Sequence, residues 1–233
     1  MKILAIIPAR SGSKGIKNKN IKLFKGQPLL VWSIKQALNS RYKMRIIVST
    51  DSQKYADIAK KNGAEVPFLR PDEISGDYST DFEFIKHCTD FLKENENYFP
   101  DIILQLRPTQ PLRKIKDIDN CLDIFIKNRD KYDSLRTVIP VEKSPYKMYN
   151  IQDNVLVPLF NKVNNINEPF NRGRQELPNC YLHNGYIDIL NADLINKNTI
   201  SGNKIYPYLM DIDENIDIDE EKDFINAENE KLD

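Results

Sequence analysis

The sequence predicts an α/β fold, a mostly parallel sheet covered on both faces by helices, with a β-rich arm inserted into it. Three observations predict it. Short apolar runs alternate with amphipathic helical periods through the first two-thirds of the 233-residue chain. The first run ends in a loop that mixes glycines, hydroxyls and cations. From about Pro140 the alternation gives way to Pro, Asn and aromatic residues, and it resumes at Tyr181.

Each element has its own reason. Residues 3–7 are a continuous apolar run, and 2–7 read as a buried strand. Residues 28–40 open on a proline and carry Leu29, Leu30, Ile34, Ala37 and Leu38 at helical spacing. Residues 45–49 form the next strand, and 53–62 a short helix stopped by Gly63. A third strand is expected over 64–68, a helix over 80–93 and a fully buried strand over 101–106. Residues 115–128 form a helix with Ile118, Leu122, Phe125 and Ile126 on its inner face. A strand over 134–141, another over 181–190 and a closing helix from about Glu220 complete the set. Residues 1–139 and 181–233 thus make one nucleus. Residues 140–180 are an arm that covers a site or reaches a neighbouring subunit, unless they are a surface excursion.

In parallel sheets ligands bind beyond the carboxyl ends of the strands. Three polar clusters fall there: 8–20, 50–52 and 107–113. The first, Pro8-Ala9-Arg10-Ser11-Gly12-Ser13-Lys14-Gly15 through Lys19-Asn20, is suited to a polyphosphate. Its glycines allow close backbone approach, and Arg10, Lys14, Lys17 and Lys19 supply countercharge. The alternative is a solvated basic turn. Neither the P-loop pattern nor the dinucleotide-binding glycine pattern is present.

Charge is segregated within a chain of zero net charge. Residues 1–50 hold eleven Lys or Arg and no acid, whereas the last twenty-three residues hold eleven acids and two lysines. A basic end that meets an anion and an acidic end that holds a metal would explain this, although a solvated helix explains most such acids. No apolar run approaches the roughly 20 residues that span a bilayer. The opening has no signal-peptide pattern, and the three cysteines are widely spaced and odd in number. A cytoplasmic protein with reduced thiols is the expectation. Two histidines, His87 and His183, leave little room for histidine-based nucleophilic chemistry.

In Leu106-Arg107-Pro108-Thr109-Gln110-Pro111-Leu112-Arg113 two prolines fix the backbone and hold Arg107, Thr109 and Arg113 at defined angles, which suits an anionic substrate or simply stiffens a turn. Arg172, Arg174 and Gln175 precede Pro178, and an Arg fork there would bind a carboxylate. Asp217-Ile218-Asp219 puts two carboxylates on one side of an extended segment, enough for Mg²⁺ with phosphate oxygens. Asp211-Ile212-Asp213 has the same pattern, so spacing alone does not choose between them.

With these clusters in this order, the chain resembles the acylneuraminate cytidylyltransferases from Ile6 to about Phe224. Further matching residues are Ser49-Thr50-Asp51, Arg70-Pro71, Arg174-Gln175 with Leu177-Pro178, and Asn184-Gly185. The resemblance implies a three-layer, Rossmann-like nucleotidyltransferase domain whose arm makes a homodimer. It implies transfer of CMP from CTP to the anomeric hydroxyl of a nine-carbon 2-keto sugar acid, releasing pyrophosphate. In such proteins the residues matching Arg10, Ser13, Lys14, Lys19 and Asn20 hold the nucleotide, with Arg10, Lys14 and Lys19 carrying the catalytic charge. Ala9, Arg70 and Ser79 match the cytosine and ribose contacts. Thr109, Arg107, Arg174, Gln175 and Tyr186 fall at the sugar acid. Asp217 and Asp219 match the magnesium ligands.

Two departures touch the sugar pocket. Arg107 stands where relatives often carry Gln, and Asp188 where an aromatic is usual, with Tyr186 two residues earlier. Period two keeps Tyr186 and Asp188 on one strand face. The sugar is therefore sialic acid or a bacterial relative such as legionaminic or pseudaminic acid. The nearest rival is the eight-carbon 3-deoxy-manno-octulosonate cytidylyltransferase. A nucleic-acid binder would need aromatic stacking among the cations, and residues 8–23 contain none.

Overall fold

The computed structural model describes residues 1–212 and 216–230. Six strands make the central sheet: β1 (Ile3–Pro8), β2 (Arg45–Ser49), β3 (Ile102–Gln105), β4 (Ser134–Pro140), β5 (Tyr181–Asn191) and β6 (Ile205–Leu209). Their spatial order is β6-β4-β5-β3-β1-β2. β1 lies parallel to both β2 and β3, β6 lies parallel to β4, and only β5 runs antiparallel to its two neighbours. The chain leaves β1 toward β2 on one side and later returns to β3 on the other. That reversal opens a crevice at the carboxyl end of β1. β1 is uniformly apolar because both of its faces are covered, with Leu4, Ala5, Ile6 and Ile7 fully buried.

Helices α1 (Leu29–Leu38), α2 (Gln53–Lys61) and α4 (Ile115–Lys127) cover one face through Leu30, Ile34, Tyr55, Ala59, Ile118, Leu122 and Phe125. Helix α3 (Asp81–Glu96) covers the other with Phe84, Ile85, Cys88 and Leu92. Its start is fixed by a capping box: the Glu83 carboxylate accepts from the Thr80 amide at 2.6 Å, and Thr80 Oγ1 accepts from the Glu83 amide. A third apolar cluster joins the two ends of the chain. Ile16, Phe24 and Leu29 pack there with Ile218 and with Phe224 and Ala227 of α5 (Glu221–Asn229).

The elements expected from periodicity are present with one exception, and the edge strand β6 is an addition that periodicity did not mark. The expected strand over 64–68 is reduced to a single bridge between Ile47 and Glu65. Ala64, Val66 and Phe68 are buried as a strand face would be. Pro67 follows directly and has no N–H with which to extend the ladder.

Strand β5 contains the other departure. Its register against β4 shifts between His183 and Asp188, around Gly185 at φ +65°. The bulge breaks the two-residue period. Tyr186 consequently turns toward α4, while Asp188 turns toward the end of β3 and the start of α3.

The arm is two short antiparallel hairpins, Tyr149–Gln152 with Val155–Pro158 and Lys162–Val163 with Ile166–Asn167, separated by turns. Cys88 and Cys121 are core thiols, and Cys180 is half-buried. Among the described residues, no helix is long and apolar enough to cross a membrane.

Candidate active site

The loop after β1 is tied down before it reaches any ligand. The Ala9 amide donates to the Ser49 carbonyl at 2.9 Å, which keeps the loop beside β2 for one residue past the strand. Ser11 then donates through both its amide and its hydroxyl to the two carboxylate oxygens of Asp51, each at 2.7 Å. Asn20 is buried, and its Nδ2 donates to the Arg10 carbonyl at 2.9 Å, closing the loop on itself.

The loop also meets the far end of the chain. Lys19 Nζ donates to the Ile218 carbonyl at 2.8 Å and to Asp219 Oδ1 at 3.0 Å. The Ile218 amide donates to the Thr109 carbonyl at 2.9 Å. A Cβ on Gly15 would lie 2.2 Å from the Asp219 carbonyl oxygen, so only glycine permits this approach. The basic amino end, the Pro-Thr turn after β3 and the acidic carboxyl end therefore close around one cavity of about 530 Å³. Its walls carry Arg10, Ser13, Lys14, Lys19, Asn20, Arg70, Ser79, Arg107, Thr109 and Asp219. That volume falls in the ordinary range for small-molecule sites.

A further carboxylate faces the cations. Asp77, on the turn that follows Pro71, lies 3.2 Å from Arg10 and 2.7 Å from Lys14. Arg10 also donates to the Gly76 carbonyl. The Lys14 ammonium holds the Asp77 carboxyl below the usual carboxylate range. Arg70 is buried: its Nε donates to Ser49 Oγ at 3.0 Å, its Nη2 to the Ser49 carbonyl at 2.6 Å, and its guanidinium lies 4.8 Å from the centre of the Phe84 ring. Burial pushes its pKa down to about 10.

Asp217 sits behind Asp219 with its carboxyl shifted up, chiefly by burial, against a hydrogen bond from Thr109. Its Oδ1 is buried and has no hydrogen-bond partner. A buried carboxylate oxygen left unpartnered costs about 1–3 kcal/mol. Beside Asp219 and a cavity lined by phosphate-binding residue types, that orphan suits a hard cation. No cluster of three or more acidic, His or Cys ligands occurs among the described residues. Mg²⁺ does not require one, because it takes one or two carboxylates and completes its shell with phosphate oxygens and water. Burial also separates the two acidic pairs that spacing left open. Ile218 is fully buried opposite its carboxylates, whereas Ile212 is exposed, and Asp213 lies outside the described residues.

The sequence matches the cytidylyltransferase family profile over residues 4–167. The chain belongs to the cytidylyltransferase family. It is 33% identical to the N-acylneuraminate cytidylyltransferase of Escherichia coli O18:K1:H7 over 96% of this chain and 50% of that one. The chain thus spans about half the length of that relative. It is 41% identical to the CMP-N,N'-diacetyllegionaminic acid synthase of Legionella pneumophila over 53% of each chain. Among solved structures, CMP:2-keto-3-deoxy-manno-octonic acid synthetase complexed with CTP shares the fold, with a TM-score of 0.70 at 14% identity over 98% of this chain and 97% of that one.

In this member of the family, five of the residues expected at the ligand do not line this cavity. Ala9 is fully buried beneath the loop. Arg174 and Gln175 occupy a turn of the arm, where Arg174 lines a separate cavity of about 210 Å³ with Ser144, Pro178 and Cys180. Tyr186 is turned away by the β5 bulge: its hydroxyl accepts from the Lys114 amide at 2.6 Å and donates to Asp117 at 3.0 Å. Arg113, expected to face substrate with Arg107 and Thr109, is buried instead. It donates to the carbonyls of Tyr186 and Arg107 and to Gln36, and burial pushes its pKa down to about 10.

The structure adds Asp77 and Asp81 to the cavity wall. Neither stands in a motif, and only the fold brings them to the cations. Arg107 lines the wall too, but its charge is answered. It donates to Asp81 at 2.5 Å and to Asp188 at 2.6 Å. Burial would push the Asp188 carboxyl up, yet His183 and Arg107 outweigh it and hold the group below its ordinary value.

Proposed function

We propose that the protein transfers CMP from CTP to the anomeric hydroxyl of a nine-carbon 2-keto sugar acid, of the sialic or legionaminic type, releasing pyrophosphate. The observation that carries this reading is the meeting of Lys19 with Ile218 and Asp219 at a cavity whose other walls are Arg10, Lys14 and Arg107. Triphosphate chemistry needs concentrated positive charge on one side and metal-holding carboxylates on the other, and that contact joins them.

Each residue then has a task. Arg10, Lys14 and Lys19 take up the triphosphate charge, with Ser13 and Asn20 shaping the loop around it. Arg70 and Ser79 border the nucleoside, and Thr109 lies between Asp217 and the acceptor. The acceptor oxygen forms its bond to the α-phosphorus as the bond to pyrophosphate breaks, and lysine and arginine balance the charge gathering on the leaving group. Among the described residues no histidine lines the cavity, in keeping with a displacement that depends on alignment and neutralisation more than on a strong base. Asp217 and Asp219 would hold Mg²⁺, which supplies a Lewis acid and lowers the pKa of a bound hydroxyl.

The same reading includes a homodimer. On the arm, Ile151, Val155 and Leu156 are 74%, 60% and 63% exposed, an apolar strip that a second copy would cover. Such pairing is also the route by which Arg174 and Gln175 would reach an acceptor, in the neighbour's cavity.

One assay tests the reaction. CTP, with and without Mg²⁺, is supplied with sialic, legionaminic, pseudaminic or eight-carbon octulosonic acid, and pyrophosphate release is followed. Release with a nine-carbon acid supports the reading. Release with the octulosonic acid alone, or with none of the four, overturns it.

A further inference from the structure

Arg107 is, among the described residues, the one cavity-lining cation held by two carboxylates outside the loop after β1, and the identity of its partners says what it can bind. Its Nη2 donates to Asp81 Oδ2 at 2.5 Å, and its Nη1 donates to Asp188 Oδ2 at 2.6 Å and to the Gly185 carbonyl at 3.3 Å. Asp81 also accepts from Gln105 Nε2 at 3.0 Å. On its other oxygen, Asp188 meets His183 Nε2 at 2.7 Å and lies 4.0 Å from Arg136 Nε. Gly185 leaves room for this arrangement, since a Cβ there would come within 3.0 Å of Arg107 Nη1.

Arg107 and Arg136 carry two positive charges and Asp81 and Asp188 two negative ones. The cluster is neutral and offers an anion no net Coulomb attraction. Two of its members, Asp81 and Arg107, nonetheless line the cavity side by side. A carboxylate acceptor next to a guanidinium donor complements a group that both donates and accepts, such as a hydroxyl or a secondary amide. Arg107 stands two residues from Thr109, whose hydroxyl is bonded to Asp217 and which the reading above places beside the acceptor.

We infer that Arg107 and Asp81 form a charge-neutral specificity element that reads an uncharged hydroxyl or acylamino substituent of the acceptor, not its carboxylate. Asp188 is the positioning residue that holds Arg107 in that pose. The inference rests on the acceptor reading given above. It deepens that reading by naming which part of the acceptor this end of the cavity recognises.

The test compares wild type, R107Q, R107K, D188N and R107Q/D188N with three kinds of acceptor. These are the preferred nine-carbon acid, analogues each lacking one hydroxyl or acylamino group, and an analogue with its carboxylate converted to the amide. In wild type, deleting one uncharged group should lower acceptor kcat/KM by about tenfold to a hundredfold. In R107Q that particular penalty should shrink to within about threefold, with KM for CTP changed by less than about threefold. The penalty for blocking the carboxylate should be the same in R107Q as in wild type. R107Q/D188N should be no worse than R107Q, because Asp188 acts through Arg107. R107K keeps the charge and guards against a folding failure. It should melt near wild type and still lose the deletion penalty, since an ammonium cannot reproduce the planar fork.

A carboxylate penalty that vanishes in R107Q overturns the inference. So does an uncharged-group penalty that every variant retains, or a double variant tenfold worse than R107Q. Wild type that turns over no acceptor at all instead refutes the underlying reaction, and the two failures are told apart by that control.

Discussion

Lys19 and Asp219 stand two hundred positions apart in the chain and 3.0 Å apart in space. The contact is one ion pair, and a partly exposed pair of that kind adds little stability by itself, about 0–1 kcal/mol. Its value lies in place. It closes the basic loop against the segment that carries Asp217 and Asp219, together with the Thr109–Ile218 hydrogen bond and the packing of Ile16, Phe24 and Leu29 on Ile218 and Phe224.

Lys19→Ala should therefore harm catalysis far more than folding. A fall in kcat/KM for CTP of about a hundredfold or more is expected from losing one fixed cation at the triphosphate. The melting temperature should move by only a few degrees. Steady-state pyrophosphate release alongside thermal denaturation checks both, and an unchanged rate would remove Lys19 from the site.

Gly15→Ala tests the same closure from the backbone side. The added methyl would sit 2.2 Å from the Asp219 carbonyl oxygen, a backbone atom with nowhere to retreat while Lys19 and Thr109 hold the segment. Overpacking of this kind costs about 1–3 kcal/mol. Denaturant unfolding should show that loss, and Mg²⁺-dependent turnover should fall with it. A variant as stable and active as wild type would mean that the contact opens freely.

Asp77 occupies Arg10 and Lys14 from the cavity wall, and a triphosphate must take those cations from it. Asp77→Asn should therefore lower KM for CTP by about threefold to tenfold, a modest gain because the pair is solvent-screened. Titration calorimetry with CTP is the direct check. Weaker binding in this variant would recast Asp77 as a group that orients the two cations for the nucleotide.

Asp188 links stability to pH. Its folded-state pKa is depressed because His183 and Arg107 outweigh the effect of burial. A depressed carboxyl stabilises the fold fully above the unfolded value, near pH 4, and that contribution drains as pH falls through the lower folded value. Unfolding free energy should thus drop more steeply below about pH 4 in wild type than in Asp188→Asn. Urea titrations at several acidic pH values measure the two slopes, and equal slopes would show that Asp188 is not the linked group.

Much of this molecule was legible from residue order. The apolar runs within 2–7, 45–49 and 101–106 marked the parallel strands, because strands covered on both faces are predominantly apolar. The composition of the loop 8–20 marked it as a candidate for phosphate, and Ile218 between two aspartates predicted a buried residue flanked by carboxylates. Each of these is a local pattern, set by side-chain chemistry within a few positions.

Other features depended on three-dimensional contact. A single glycine in the left-handed region at 185 shifted the β5 register, so Tyr186 went to Asp117 and Asp188 went to Arg107. Two departures from the family pattern, read separately along the chain, became one ion pair. The sequence alone determined the layered α/β architecture, the phosphate-type loop and the acidic carboxyl end, because periodicity and composition act over short range. Tertiary structure alone decided that Asp77 and Asp81 join the cavity wall, that Arg107 is neutralised and that Arg113 is structural. Hydrogen bonds and ion pairs between distant segments form only after the sheet has fixed which strand ends are neighbours.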